Sequence, residues 1–283
     1  MNELIVGVDG SDQSRSALRW AASIAATLPV KLRAIEVWGG GDPYAAEEVG
    51  EKVRRELAEY TTSALQGLTS EPEVEFEALR GSPAQVLLNR VTAESGLVLG
   101  SRGRGGFLGL LLGSVSRACI EHAPCPVAVI RQPDPLPLAG SNVVVGHDGS
   151  PSARLALEWA VEMARPIQAK VIAAYVWQAK ASEVRPALHD RLTKEATRSI
   201  ETWAGQVDPD VQPVEIEGEP RMEVVKLAER YDAGLVVVGR RGVGVIRALR
   251  MGSVASYLVT NSPAPVAVTP PPAEIQESSA TGN

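Results

Sequence analysis

Two α/β domains in tandem, each a doubly wound, mainly parallel five-stranded sheet with flanking helices, are predicted by three observations. The first is an internal repeat. Asp9 recurs as Asp148, Trp20 as Trp159, Trp38 as Trp177, Gly100 as Gly239, Gly113 as Gly252 and Pro126 as Pro265, each pair 139 positions apart. A solenoid unit would repeat every roughly 20–50 residues, so a whole domain has been duplicated. The second observation is the run Leu4-Ile5-Val6-Gly7-Val8, nearly all apolar. A strand without polar alternation is buried on both faces, as in a parallel sheet covered by helices. The third is the alternation of such runs with helical periodicity, which implies parallel strands joined by crossovers.

The elements follow in order. After the first strand, Ser11 is a good N-cap, and Ala17, Leu18, Ala21, Ile24 and Ala25 fall at helical spacing. A second strand is predicted from Leu32 to Trp38, a helix from about Pro43 to Leu65, and a strand from Val74 to Leu79. Gly81-Ser82-Pro83 opens a helix with proline at its favoured first position. Leu97-Val98-Leu99 is the fourth strand, Gly113 to His122 the last helix and Pro126 to Ile130 the last strand. The second copy predicts strands at Val143–Val145, Lys170–Trp177, near Val214, Leu235–Val238 and Val266–Thr269. Its helices start at Ser150, about Pro186 (running to Trp203), Pro220 and Gly252. Gly218-Glu219-Pro220 answers Gly81-Ser82-Pro83 at an offset of 137, so compensating indels lie in surface connections, which tolerate them. The domains read as residues 1–131 and 141–270, with a proline-rich linker at 132–140 and a disordered tail at 271–283.

The chain of 283 residues suits two domains, and 45% hydrophobic against 22% charged residues reads as globular. A net charge of -6 supplies no basic field, so nucleic acid is not an expected partner. Cys119 and Cys125 are answered by Leu258 and Ala264 and stand six apart, which suits inert burial in a reducing compartment better than a redox pair. No basic segment followed by an apolar stretch precedes the first strand, and no apolar run approaches 18 residues. A cytoplasmic protein away from membranes is expected. His122, His147 and His189 make no metal-ligand spacing with the cysteines.

Chemistry concentrates after the fourth strand. Gly100-Ser101-Arg102-Gly103-Arg104-Gly105-Gly106 leads to Gly113-Ser114-Val115, and Gly239-Arg240-Arg241-Gly242-Val243-Gly244-Val245 leads to Gly252-Ser253-Val254. Both copies read Gly-x-x-Gly, nine residues, Gly-Ser, an anion cradle. Glycines let backbone amides approach a phosphate and adopt positive φ. Ser114 and Ser253 are expected as N-cap hydroxyls where free amides and the helix dipole hold phosphate oxygens. Asp9 and Asp148 end the first strand of each copy, at the carboxyl edge where open α/β sheets bind ligands. Val37 and Val176 end the second strand and suit an apolar wall for a base. Arg102, Arg104, Arg240 and Arg241 are candidates to pair with phosphates, against the plainer reading of solvated loop charges. Trp38 and Trp177 read as core or interface residues. A substitution of Gly100 or Gly239 by valine is expected to block the backbone's approach to the ligand. No Gly-x-x-x-x-Gly-Lys-Ser/Thr loop and no Gly-x-Ser-x-Gly elbow occurs, which excludes a P-loop ATPase and an α/β-hydrolase.

On these residues the chain resembles a tandem universal stress protein of the ATP-binding kind, whose motif is Gly-x-x-Gly-x9-Gly-Ser/Thr. The resemblance rests on Val6-Gly7-Val8-Asp9-Gly10-Ser11, Gly100-Ser101-Arg102-Gly103, Gly113-Ser114-Val115-Ser116 and Ala123-Pro124-Cys125-Pro126-Val127, and covers about 1–131 and 141–270. It implies a Rossmann-like fold that binds adenine near the strand 1 Asp and the end of strand 2, and the triphosphate in the glycine loop. Carried over, that names Gly7, Asp9, Val37, Gly100, Gly103, Gly113, Ser114 and Val115, then Gly146, Asp148, Val176, Gly239, Gly242, Gly252, Ser253 and Val254. The ligand implied is ATP with Mg²⁺, one per domain. The final strands are implied to pair the halves into an internal pseudo-dimer, with homodimer formation expected. Two departures stand out: Ser95 and Gly234 replace an Asp before the fourth strand, weakening a turn, and His147 replaces Val8 beside the second Asp. Nothing supplies a base or water-positioning group at the γ-phosphate, so a regulatory stress-response protein with at most slow hydrolysis is expected rather than an enzyme. The rivals are an enzyme of the related adenylating α/β folds and an interaction module with vestigial sites.

Overall fold

In the computed structural model the chain divides into two units, Met1–Pro137 and Leu138–Asn283. The structure describes residues 1–39, 46–68, 72–104, 111–135, 138–178, 210–242 and 250–272, with scattered positions between 194 and 208. The start of the helix expected at Pro43, most of that expected over 186–203, part of the linker and nearly all of the tail lie outside the described residues.

The first unit runs β1 (Glu3–Val8), α1 (Asp12–Ala25), β2 (Lys31–Trp38), α2 (Ala46–Leu65), β3 (Val74–Arg80), α3 (Pro83–Arg90), β4 (Ser95–Gly100), α4 (Ser114–His122) and β5 (Val127–Ile130). The strand order is β3-β2-β1-β4-β5, all neighbours parallel. Its strands carry the buried residues that the apolar runs anticipate: Ile5, Val6, Ile35, Leu97 and Val98 are at most 1% exposed. Helices α1 and α2 pack on each other, as do α3 and α4, and Leu18, Ala21 and Ile24 of α1 are buried. Ser11 caps α1, its hydroxyl accepting the Ser14 N–H, and Pro83 opens α3.

The second unit repeats the order: β6 (Asn142–His147), α5 (Pro151–Ala164), a short 3-10 turn (Arg165–Ile167), β7 (Lys170–Trp177), β8 (Gln212–Glu217), α6 (Pro220–Arg230), β9 (Ala233–Gly239), α7 (Ser253–Asn261) and β10 (Val266–Thr269). Its strands order as β8-β7-β6-β9-β10, again parallel. Ser150 caps α5. In both units the order reverses between the first and fourth strands, the place where an open α/β sheet leaves a crevice at its carboxyl edge.

Ser95 holds its turn rather than weakening it: its hydroxyl accepts the Thr92 N–H at 3.0 Å. Cys119 and Cys125 are buried free thiols, and burial, then the neighbouring Cys125, pushes the Cys119 thiol up to about 12. Trp38 and Trp177 are half-buried; Trp38 lies under the Arg80 guanidinium and the Trp177 indole N–H donates to Glu215. No helix among the described residues is long and apolar enough to cross a membrane.

Candidate functional site

Each unit has a cavity at its carboxyl edge, about 540 Å³ in the first and about 320 Å³ in the second. Both lie in the range of small-molecule sites, roughly 300–1,000 Å³.

In the first cavity three elements converge. The residues just past β1 supply Asp9, the turn after β4 supplies Arg102, Gly103 and Arg104, and the start of α4 supplies Gly113, Ser114 and Val115. Gly7, Val37 and Gly100 complete the expected lining. Asp9 is the hinge of this arrangement. Its Oδ1 accepts the Ser11 N–H at 3.1 Å and the Ser11 hydroxyl at 2.6 Å, while its Oδ2 accepts the Arg104 N–H at 2.8 Å. Burial pushes the carboxyl up, but the hydrogen bonds from Ser11, Arg104 and Ser14 outweigh it, so Asp9 titrates below the usual carboxylate range. Asp9 therefore fastens the glycine turn to the end of β1.

That fastening explains one glycine of the motif. A Cβ on Gly103 would overlap Asp9 Oδ2, and one on Gly242 would overlap Asp148 Oδ2. Gly100 and Gly239 have a different reason. A Cβ there would stand 2.9 Å from the backbone carbon of Gln13 or of Ser152, so these glycines admit the first turn of α1 or α5 against the sheet. Both glycines also line the cavities, where the sequence expects them to clear the ligand's approach. Positive φ is not what the described motif glycines provide: it occurs at Gly10 (75°) and Gly149 (81°), in the turn after the first strand of each unit.

Gly113, not Ser114, is the N-cap of α4, and Gly252, not Ser253, that of α7. The two serines occupy the first helical position, and the caps make no side-chain hydrogen bond. The amides of such a first turn have no intrahelical acceptor, and Ser114, Val115 and Ser116, which carry them, line the cavity. The turn is held from beneath: the Gly113 N–H donates to Ser101 O at 2.7 Å, the Ser101 N–H to Ile130 O at 2.8 Å and the Ser116 hydroxyl to Gly100 O at 2.7 Å. Ser101 is thus buried scaffolding outside the lining, a correction that Arg240 shares. Arg240 is 6% exposed and its N–H donates to Thr269 O at 2.8 Å.

The second cavity gathers Gly146, Asp148, Val176, Gly239, Arg241, Gly242, Gly252, Ser253 and Val254. Asp148 Oδ1 accepts the Ser150 N–H at 3.0 Å, matching Asp9 and Ser11. His147 lines this cavity; its Nδ1 accepts the Gly149 N–H at 3.1 Å, and burial, opposed by Asp148, lowers its pKa to about 4, so the imidazole is neutral. Gly105, Gly106, Val243, Gly244 and Val245 lie outside the described residues.

Sequence reasoning named Val37 and Val176 of the apolar end and missed the rest of it. Ile35, Pro83, Leu87 and Leu99 line the first cavity and Ala174, Pro220, Val224 and Val238 the second, together with Val8, Ser14 and Ser116, and Ala153 and Ala255. The repeated Gly-x-Pro at Pro83 and Pro220 was the available signal, because it marks the start of α3 and α6 in both copies.

The universal stress protein family model matches residues 1–131 and 141–270. A universal stress protein of Mycobacterium tuberculosis is 31% identical over 94% of each chain, and a second from that organism is 30% identical over 94% of this chain and 96% of its own. The crystal structure of a universal stress protein from Archaeoglobus fulgidus shares the fold, with a TM-score of 0.69 at 22% identity over 95% of this chain and 98% of that one. Two family matches in one chain, each over a unit with the same strand order and its own crevice, place this protein in the universal stress protein family as a tandem of two such domains.

Proposed function

We propose that this is an ATP-binding regulatory protein of the stress response, with one adenine-nucleotide site in each domain. The observation that carries the reading is that the strand 1 aspartate, the Gly-x-x-Gly turn and the Gly-Ser helix start line a single cavity in each unit. The cavity is amphipathic as a nucleotide requires. Gly7, Ile35, Val37, Leu87 and Leu99 offer an apolar end for a base, and the first turn of α4 with Arg102 and Arg104 offers donors for phosphates. In the second domain Ala174, Val176, Val224 and Val238 face Arg241 and the first turn of α7.

No group of three or more His, Cys, Asp or Glu stands together among the described residues as a metal site. In this reading Mg²⁺ enters with the phosphates, whose oxygens are its ligands. Asp9 is committed to Ser11 and Arg104 and is not poised to activate water, so hydrolysis falls far below an ordinary enzyme's roughly 10 per second. Binding acts as a signal that stabilises the domain, by about 2.7 kcal/mol at 100 times the dissociation constant. The chain works in the cytoplasm and associates as homodimers, an association that sedimentation of the intact protein measures.

Equilibrium dialysis with MgATP tests the reading. Close to two nucleotides per chain are expected, with a matching rise in melting temperature. No binding at millimolar concentration overturns it, and rapid ADP or AMP release would make the protein an enzyme.

A further inference from the structure

The Asp-Gly-Ser turn after the first strand is held differently in the two halves. In the first, a ring of hydrogen bonds closes through α2. The Asp9 N–H reaches Ser14 Oγ at 3.4 Å, Ser14 Oγ stands 2.9 Å from Tyr60 Oη, and the Tyr60 hydroxyl donates to Ser11 O at 3.0 Å. With the Tyr60 proton on Ser11 O, the Ser14 proton completes the ring on Tyr60 Oη; Ser11 O, at 2.9 Å, is its other acceptor. Ser11 in turn grips Asp9 Oδ1 with both its N–H and its hydroxyl. Ser14 is 3% exposed and lines the cavity, whereas Tyr60 is half-buried on α2 and does not line it. The part of α2 around Tyr60 is firmly attached. Leu57, Thr61, Ala64 and Leu65 are buried, and Arg15 and Arg19 of α1 donate to Ser63 O at 2.7 Å and Ala64 O at 2.6 Å. The second half carries Ala153 for Ser14, and no tyrosine between Trp177 and Val211, the stretch that answers α2. There the imidazole of His147, on β6 itself, accepts the Gly149 N–H.

This inference rests on the nucleotide reading above. We propose that Tyr60 is a positioning residue of the first cavity: it holds the Asp9 turn in the geometry that receives the ligand, and it ties occupancy of this cavity, and not of the second, to α2. The turn pivots on Gly10 at φ 75°, in the left-handed region that glycine enters and leaves at little cost. The Asp9 carboxylate is therefore only as well placed as the bonds on either side of that pivot. Ser11 O already accepts the Arg15 N–H of α1 at 3.0 Å, and the Tyr60 bond adds α2 to the elements that fix it. Burial raises the Tyr60 pKa above its ordinary value, so the phenol keeps the proton that it donates. Coupling of this kind is reciprocal: whatever factor the Tyr60 bond adds to binding, binding returns to the attachment of α2.

The test compares Tyr60→Phe with the unsubstituted full chain in two readouts. The first needs no ligand. Asp9 titrates below the usual range because hydrogen bonds led by Ser11 outweigh burial. Magnetic resonance titration is expected to find Asp9 titrating higher in Tyr60→Phe, with the Gly149 and Ser150 amide resonances unmoved. The second readout is MgATP binding in chains that also carry Gly242→Val, so that the first cavity is measured alone. Tyr60→Phe weakens MgATP about fivefold, the worth of one neutral hydrogen bond. MgATP slows amide exchange over residues 57–65 in chains that keep Tyr60 and not in Tyr60→Phe. Adding Ser14→Ala to Tyr60→Phe costs little more than either alone, because both break one ring. A hydroxyl that only steadies α2 lowers the melting temperature equally with and without MgATP and leaves Asp9 and the affinity as they were. An unchanged Asp9 titration or an unchanged affinity overturns the proposal. An unsubstituted chain that takes up no MgATP overturns the nucleotide reading, and the Asp9 titration then decides by itself whether Tyr60 positions the turn.

Discussion

The two halves share a scaffold and differ in how they balance charge. In the first, Arg33 of β2 bridges Glu3 at 3.0 Å, Glu75 at 2.8 Å and Glu77 at 3.0 Å across three neighbouring strands. The second half replaces that network with Ile172, 1% exposed, together with Asn142, Gln212 and Val214. Beside the strand 1 aspartate the contrast runs the other way: Val8 in the first half becomes the buried, neutral His147 in the second. Backbone placement survives both exchanges, since each half keeps the same strand order and the same capped first helix. Parallel pairing and close helix–sheet approach set the crevice, while the charges tune what it holds and how it responds to pH.

The largest effect that separates the halves is on binding. Gly103→Val forces a side chain into Asp9 Oδ2, and Gly242→Val does the same to Asp148. Each variant is expected to lose one nucleotide of two, with at least a hundredfold weaker binding at the altered site, about 3 kcal/mol. Calorimetric stoichiometry reads this, and a variant that still binds two would break the equivalence of the two turns.

The next effect is on acid stability, and it marks the second half. The folded His147 pKa of about 4 lies below the unfolded value near 6.5, so the unfolded chain binds more protons between them. The second domain is expected to lose about 3 kcal/mol as pH falls from 6.5 through about 4. Glu36 in the first half acts with the opposite sign: its carboxyl is raised in the folded state, so its unfavourable contribution is relieved as pH falls. Urea unfolding between pH 7 and pH 4 measures both slopes. His147→Val should flatten that of the second domain, and an unchanged slope would assign acid sensitivity elsewhere.

A third effect is shared by the halves. Gly100→Val and Gly239→Val press against the backbone of the first helix and are expected to cost about 1–3 kcal/mol of stability in their own domain. Thermal unfolding should register that loss, and binding should weaken only as far as the turn shifts with the helix. Full stability with binding abolished would return these glycines to the role that the motif first suggests.

The smallest effect is at the Arg33 network, whose arginine side chain is 22% exposed. Arg33→Ala is expected to cost about 1 kcal/mol or less, and less still at high salt, because solvent screens the pairs. A larger, salt-independent loss would mean that packing of the arginine stem, and not charge, joins β1, β2 and β3.

The amino-acid sequence by itself determined the two domains' element order, the parallel sheets and the carboxyl-edge location of the loops, because these follow from local signals. Apolar runs such as Leu4–Val8 must be buried on both faces, Ser11 and Ser150 cap the helices that follow, and the repeat reports the same pattern twice. It also singled out Asp9, Gly103, Gly113 and their counterparts as one chemical unit. Only the tertiary structure decided what each of them does. Asp9 meets the Arg104 N–H across 95 positions of chain, and Gly100 meets Gln13 across 87, through contacts made by strand order rather than by spacing. The apolar wall of Ile35, Leu87 and Leu99 carries no local mark, since every such residue in a buried strand or helix looks alike until the order β3-β2-β1-β4-β5 brings these three to one crevice. Backbone periodicity is written residue by residue, whereas a site is a meeting of distant segments, and the packing of helix against sheet fixes which side chains meet there.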